Sequence, residues 1–278
     1  MDDSDVSGRL RANMRDDWNA RAREDARYYV AFSRREQSDA DFFATATAVV
    51  NNLEAELNRI PAAQRRGWKA LEIGCGPGRL MRPMSRHFSE IHGVDVSDEM
   101  IALARERLHD TPNAHPHVSD GASLAEFPDE WFDFVYSYAV FQHVPNRDVI
   151  AAYMRDAHRV MKTGALARLQ FNGMPVRGGE SFDTWSGARM TSSDILEFTQ
   201  LHDIQLLALK GAGTQYMWTT WCKQPHGWQS AQADRQFPDT TSRIRRITNS
   251  QSSEPGAPSR GRYASISLGV ENLSLIHI

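Results

Sequence analysis

The sequence predicts an α/β protein with a parallel sheet covered by helices on both faces, and three observations carry that expectation. Between Trp68 and Gly173 short apolar runs alternate with helical patterns. The runs are apolar at successive positions, as strands buried on both faces are. The first of them, KALEIG, leads straight into a glycine-rich turn. At 278 residues the chain suits one large domain, or one domain with appendages.

In chain order, the stretch from Asp16 to about Arg59 is rich in Ala, Arg, Glu and Asp. Phe43, Val50, Leu53 and Leu57 recur there at helical spacing, which predicts amphipathic helices. Pro61 and Gly67 then punctuate the chain. KALEIG, IHGVDV, FDFVYSY and ALARLQF read as four strands, with helices at Leu80 to Phe88, Asp98 to Leu108 and Arg147 to Met161. The cap-like Thr191-Ser192-Ser193-Asp194 opens a helix running through Phe198. Two further strands, DIQLLAL and QYMWTTW, flank Lys210-Gly211-Ala212-Gly213, a turn short enough for an antiparallel hairpin.

The expected organisation is an N-terminal helical extension over residues 1–66, a core domain over 67–224, and a linker or tail over 225–262. A strand-like segment begins within 263–278, where YASISLGV reads as the opening of a truncated β segment. The terminal Leu273 to Ile278, LSLIHI, resembles the translation of a transposon-end adapter used in sequencing libraries and is expected to be a non-native scar. Codons other than CTG TCT CTT ATA CAC ATC would remove that idea.

Composition narrows the function. Hydrophobic residues at 41% and charged residues at 24% exclude collagen-like, wholly disordered and disulfide-scaffold classes. A net charge of −3 offers no bulk attraction to nucleic acid or anionic membrane. Cys75 and Cys222 are too few for a disulfide framework or a thiolate zinc site, and they suit a reducing compartment. The acidic amino terminus lacks the order of a signal peptide, and no stretch approaches the ~20 apolar residues of a membrane span. A cytoplasmic enzyme or binding protein is expected.

The chemistry-bearing segment is Leu71-Glu72-Ile73-Gly74-Cys75-Gly76-Pro77-Gly78-Arg79, a strand, a glycine turn and the start of a helix. Glycines permit positive φ and close approach of a ligand to the backbone. The dinucleotide fingerprint would need a third glycine where Arg79 stands, and the phosphate loop's Gly-Lys-Ser/Thr is absent. Asp95 lies nineteen residues beyond Gly76, close to the ~20-residue offset at which a carboxylate meets ribose hydroxyls. Ser119-Asp120-Gly121 places another acid where it could accept from an adenine amino group.

These features, LEIGCGPGR, GVDVS, an acidic residue before FPDEWFDFVYS, and AVFQHVP followed by a helix and HRVMKTGALARLQF, occur in one order. On them the chain resembles class I S-adenosylmethionine-dependent methyltransferases of the small-molecule methyltransferase-domain kind, over roughly Trp68 to Gly173. The resemblance implies a Rossmann-like three-layer sandwich with a seven-stranded, mostly parallel sheet, its last strand antiparallel, plus extra N-terminal helices. It implies that Glu72, Gly74, Cys75, Gly76 and Gly78 shape the methionine-side pocket. It further implies that Asp95 holds the ribose, Val96 packs on adenine, Asp120 and Gly121 read the adenine edge, and Tyr136 lines the pocket. Tyr28 and Tyr29 resemble an aromatic lid over the cofactor, the alternative being that they pack the helix on the domain.

The reaction implied is in-line methyl transfer from S-adenosylmethionine, leaving S-adenosylhomocysteine, to an oxygen or nitrogen of a small-molecule acceptor. No metal is expected. His143 sits where a general base would stand, or is a structural residue closing the pocket; its neighbour Gln142 is a positioning group. Acceptor recognition is expected from the segment between Gly173 and Met190, through Arg177, Trp185 and Arg189, unless that segment is a polar loop anchored by one tryptophan.

Other signals carry less. His115-Pro116-His117 reads as a solvated loop, the arginine pairs as solvated faces, Cys75 as a small residue fitting its turn, and Asp133 as part of a strand edge. Neither an Asn/Asp-Pro-Pro-aromatic tetrapeptide nor a dense basic stripe points to nucleic acid. Two rival functions stand beside the main reading: a non-catalytic S-adenosylmethionine-binding sensor or scaffold, and a nicotinamide-dependent oxidoreductase, which Arg79 disfavours. The acceptor's identity and the oligomeric state are not legible.

Overall fold

The computed structural model describes residues 3–32 and 34–230. Helix α1 (Asp3–Ala31) is broken at Asp25 (φ −166°, ψ 88°), whose carboxylate accepts the N–H of Tyr28 at 3.0 Å and so caps the second half. Helices α2 (Asp39–Ala44) and α3 (Thr47–Leu57) follow. Then come β1 (Lys69–Ile73), α4 (Met81–Met84), β2 (Glu90–Asp95), α5 (Asp98–Arg107), β3 (Ala114–Val118) and β4 (Phe132–Ser137). The chain continues through α6 (Arg147–Val160), β5 (Met161–Phe171), α7 (Ser192–Leu201), β6 (Ile204–Lys210) and β7 (Met217–Lys223).

The seven strands lie in the order β3-β2-β1-β4-β5-β7-β6. Pairings from β3 through β5 are parallel, while β7 runs antiparallel to both β5 and β6. The expected sheet, its antiparallel last strand and its hairpin are therefore present. Strand alternation sends Leu71 and Ile73 to one face and Ala70 to the other. On the first face they meet Val149, Ile150, Met154 and Ala157 of α6 and Ile195 and Phe198 of α7. On the second lie Leu53 and Leu57 of α3, Met81 of α4, and Ile101 and Ala104 of α5. The strand order reverses between the parallel neighbours β1 and β4, so their carboxyl ends open a crevice at the switch point, where such sheets hold ligands.

Two local expectations are corrected. His115-Pro116-His117 is the middle of edge strand β3, not a solvated loop; proline fits an edge, where its missing N–H breaks no ladder. The His92 and His117 rings stack 5.3 Å apart against Phe127, which gives these imidazoles a packing role. The helix expected over Leu80 to Phe88 is one α turn followed by a 3₁₀ turn, Ser85–His87. Asp133 behaves as read: its carboxylate accepts from the Lys69 N–H and the Lys162 ammonium, both at 2.9 Å, at the far end of the sheet.

No described helix is long and apolar enough to cross a membrane. Beyond Lys223, the N–H groups of Gly227 and Gln229 are held by the Asp203 carboxylate at 2.8 and 2.9 Å. The expected segments Tyr263 to Val270 and Leu273 to Ile278 lie outside the described residues.

Candidate active site

The turn after β1 is folded by its glycines. Gly74 and Cys75 both donate their N–H to the Val94 carbonyl, at 2.8 and 2.9 Å, and Gly78 closes the turn on the Cys75 carbonyl at 3.1 Å. A Cβ on Gly74, at φ 74°, would lie 2.2 Å from a methyl of Val140, so this position admits glycine alone. Over Gly76 the nearest atom to such a Cβ would be Val30 of α1, at 3.4 Å. The corner is thus poor in side chains and roofed by the lid half of α1.

A buried carboxylate, Glu72, and a half-buried one, Asp95, stand at this corner. The Asp95 carboxylate accepts the Gly76 N–H through Oδ2 and the Ser97 N–H through Oδ1, both at 2.9 Å. Each oxygen keeps a further lone pair, an arrangement suited to a pair of vicinal hydroxyls. Burial raises Asp95 to about 6, against the pull of those N–H donors. Glu72 Oε2 accepts the Tyr136 hydroxyl at 2.8 Å, and burial raises this acid to about 8 despite that bond. A carboxyl so buried favours a cationic partner, which would draw off its proton. Burial also pushes the Cys75 thiol well up, so it fills the turn rather than reacting.

Farther along the sheet edge, Asp120 spends Oδ1 on the N–H groups of Ala122 and Ser123, at 2.9 and 2.8 Å. Its Oδ2 accepts the Ser123 hydroxyl at 3.1 Å and meets Arg11 at 3.4 Å. Gly121, at φ 80°, leaves room for Val96, whose methyl would be 2.8 Å from a Cβ there. Helix α1 clamps this edge: Arg15 donates to the carbonyls of Val96 and Ser119, each at 3.2 Å. Asn19 Oδ1 accepts the Ser97 hydroxyl at 2.7 Å and the Glu99 N–H at 3.2 Å.

Past β4 the chain forms a 3₁₀ turn, Phe141–His143. His143 Nδ1 lies 3.0 Å from the Trp185 carbonyl, so that nitrogen carries the proton and Nε2 the lone pair, which faces the Gln142 amide at 3.3 Å. Burial lowers this imidazole to about 4, and it is neutral at pH 7. Gln142 is itself buried, with its Oε1 accepting from Gln170 at 3.3 Å. The His143 ring meets Trp18 of α1 edge-on at 5.3 Å and Trp185 at 5.7 Å. Beside them opens a cavity of about 390 Å³ lined by Arg21, Tyr28, Tyr29, Phe32, Arg35 and Trp185.

With this geometry in view, the comparisons with known proteins are specific. Residues 70–164 match the methyltransferase-domain family. This stretch is a class I S-adenosylmethionine-dependent methyltransferase domain. The chain is 36% identical over 84 residues to phosphoethanolamine N-methyltransferase 2 of Caenorhabditis elegans, covering 30% of this chain and 19% of that protein. It is 31% identical over 123 residues to trans-aconitate 2-methyltransferase of Afipia carboxidovorans, 44% of this chain and 43% of that one. These matches span less than half the length of the curated relatives. Magnesium protoporphyrin IX methyltransferase of Synechocystis PCC 6803, solved with bound S-adenosylmethionine, superposes with a TM-score of 0.55 at 16% identity. The superposition covers 77% of this chain and 97% of that one, and it shows a shared fold.

Within the methyltransferase domain, the structure brings Glu72, the glycine turn, Asp95 and Tyr136 together at one corner, with Val96, Asp120 and Gly121 farther along the same edge. Tyr28 and Tyr29 line the cavity beside Trp185, while Val30 is the residue of α1 that lies over the glycine turn. Arg189 is turned inward on its own loop, paired with Glu180 at 2.9 Å and with the Pro175 carbonyl at 2.5 Å, and neither it nor Arg177 lines the cavity. Sequence reasoning missed Arg15, Asn19, Arg21, Val30 and Thr184. Their partners lie 78 to 167 positions away along the chain for the hydrogen-bonded members, a distance at which no local pattern signals contact.

Proposed function

We propose that this protein transfers a methyl group from S-adenosylmethionine to an oxygen or nitrogen of a small-molecule acceptor by in-line displacement. The observation that carries the reading is the Asp95 carboxylate, braced by the N–H groups of Gly76 and Ser97 at the end of β2, beside buried Glu72. When bound, the cofactor supplies an electrophilic sulfonium methyl whose departure leaves a neutral thioether. The residues present fit it: a corner without side chains for the amino-acid moiety, Glu72 for its ammonium, Asp95 for the ribose hydroxyls, and Val96 with Asp120 and Gly121 for adenine.

Alignment and exclusion of water are what the chain's own groups contribute. Val30 covers the corner, while Tyr28 and Tyr29 wall the cavity beside it. His143 acts as a positioning residue, since a base near 4 is poorly matched to neutral pH and its Nδ1 proton is committed to Trp185. Its bond and ring contacts hold the acceptor loop against the exit of β4. The small-molecule class is supported by relatives named for phosphoethanolamine and trans-aconitate. Calorimetry with S-adenosylmethionine, followed by transfer of a labelled methyl into a metabolite panel, tests the reading. Binding with no transfer to any acceptor would favour the sensor; no binding would end both.

A further inference from the structure

The cavity between α1 and the loop after β5 is unusual for what it leaves exposed. Phe32 and Trp185, at 45% and 42% exposure, meet edge-on with centroids 5.3 Å apart and leave their outer faces open. Tyr29 stands edge-on to Trp185 at 6.0 Å, and Tyr28 packs on Phe32 at 5.2 Å. Phe32 holds this place at φ 38°, in the left-handed region that costs a bulky residue free energy. Open, rigid aromatic walls around a few polar groups are the usual make-up of a site for a small planar molecule.

Charge decides which kind. Two guanidinium groups line the cavity. Arg35 lies over Tyr28 at 4.5 Å and is neutralised by Glu24 at 2.9 Å. Arg21 is different. Its guanidinium lies 4.7 Å from the Trp18 ring and 5.5 Å from that of Trp185, held by Thr184 through the carbonyl at 3.1 Å and the hydroxyl at 2.9 Å. No carboxylate among the described residues pairs with it. Asp17 accepts the Thr184 hydroxyl at 2.5 Å, and Asp183 spends its carboxylate on the N–H groups of Ser186 and Trp185, at 2.6 and 2.8 Å, bonds that with the nearby Arg21 charge hold it below the usual carboxylate range. An oriented cation among aromatic faces, with no carboxylate among the described residues at salt-bridge distance, is suited to a carboxylate or similar anion.

The cavity also stands where a methyl acceptor must stand. Its Trp185 wall is bonded to His143 at the exit of β4, and its opposite wall continues into Val30 over Gly76. We infer that the acceptor is a planar aromatic or conjugated molecule bearing an anionic group, laid against the exposed faces of Trp185 and Phe32 with its anion on Arg21. This deepens the reading given under Proposed function and rests on it for the methyl transfer, though not for the binding. It replaces Arg177 and Arg189 by a residue of the N-terminal helix as the charge that selects the acceptor.

The test uses the full chain with S-adenosylhomocysteine present and three probes of one shape: 1-naphthoate, 1-naphthol and 1-naphthylmethylammonium, titrated by calorimetry. Naphthoate is expected to bind roughly tenfold more tightly than naphthol, as a charge-assisted hydrogen bond provides, and the ammonium least well. Arg21→Gln should erase the naphthoate advantage, and Trp185→Ala should weaken naphthoate and naphthol alike. Because Arg21 also holds Thr184, Thr184→Val serves as the control that removes the hydroxyl contact and keeps the charge; the naphthoate advantage should persist in it. Naphthoate binding no tighter than naphthol, an advantage that survives Arg21→Gln, or one lost in Thr184→Val would overturn the inference. A wild-type chain that fails to bind S-adenosylhomocysteine but still prefers naphthoate would sink the methyltransferase reading while leaving the anion site standing.

Discussion

The glycine corner and the aromatic cavity beside Trp185 lie side by side but are made differently. The corner is made of backbone: N–H groups of Gly76 and Ser97 fix Asp95, and Gly74 sits where any Cβ would strike Val140. Its parts lie within about one βαβ unit of sequence. The cavity is made of side chains from α1 and from a loop more than 140 positions later, joined through Arg21, Thr184 and Trp185. The first region therefore tolerates little change and serves one ligand. The second can be rebuilt by substitution without disturbing the sheet.

Substitutions should expose that contrast, the largest effect first. Gly74→Ala combines a forbidden φ with a direct clash and should destabilise the protein by about 3–4 kcal/mol, read from the urea midpoint. Gly179→Ala, in the acceptor loop at φ 79° with nothing within 4 Å of its Cβ, should cost only about 1 kcal/mol. Equal costs at the two glycines would erase the distinction.

Glu72 sharpens it through pH. Its carboxyl holds a proton up to about 8, whereas an ammonium partner needs it ionised, so binding S-adenosylhomocysteine releases a proton. Affinity should then climb by up to about tenfold per pH unit from pH 6.5 toward 8, and Glu72→Gln should flatten that slope. Without ligand the sign reverses. A carboxyl raised from 4.5 to about 8 stabilises the fold below 4.5 and loses that contribution as pH rises through 8, so Glu72→Gln should raise Tm at pH 8.5.

Smaller effects belong to the cavity side. His143→Gln should raise the acceptor KM severalfold and leave kcat within about threefold, against the ~10²–10⁴-fold loss expected of a general base. A pH–rate profile that lost a limb near neutrality would instead make it the base. Arg177→Ala, outside the cavity lining, should change neither parameter measurably.

The same contrast explains what could be read from the sequence. Strand and helix order from Lys69 to Phe171 follows from apolar runs and glycines, which are local signals, and the Thr191 capping box marked α7 in the same way. Edge strand β3 was hidden because Ala-His-Pro-His-Val has no apolar run; its pairing is made by backbone, and an edge tolerates polar residues. In the candidate site, the Gly76–Asp95 pair is legible by spacing, because one strand-turn-helix sets their separation, whereas Glu72 enters only through the family resemblance. Arg21 was not visible, since its meaning depends on Thr184, 163 positions later. Arg177 and Arg189 carry charge on the loop after β5, but Glu180 folds Arg189 back onto that loop.

The most direct test of the central claim is a calorimetric titration of S-adenosylhomocysteine into the wild-type chain and into Asp95→Ala at pH 7.5. The account predicts measurable binding by the wild type, weakened roughly a hundredfold when the charge-assisted hydrogen bonds to the ribose are removed. Wild-type protein that takes up none of it, or an alanine variant that binds equally well, would contradict the account.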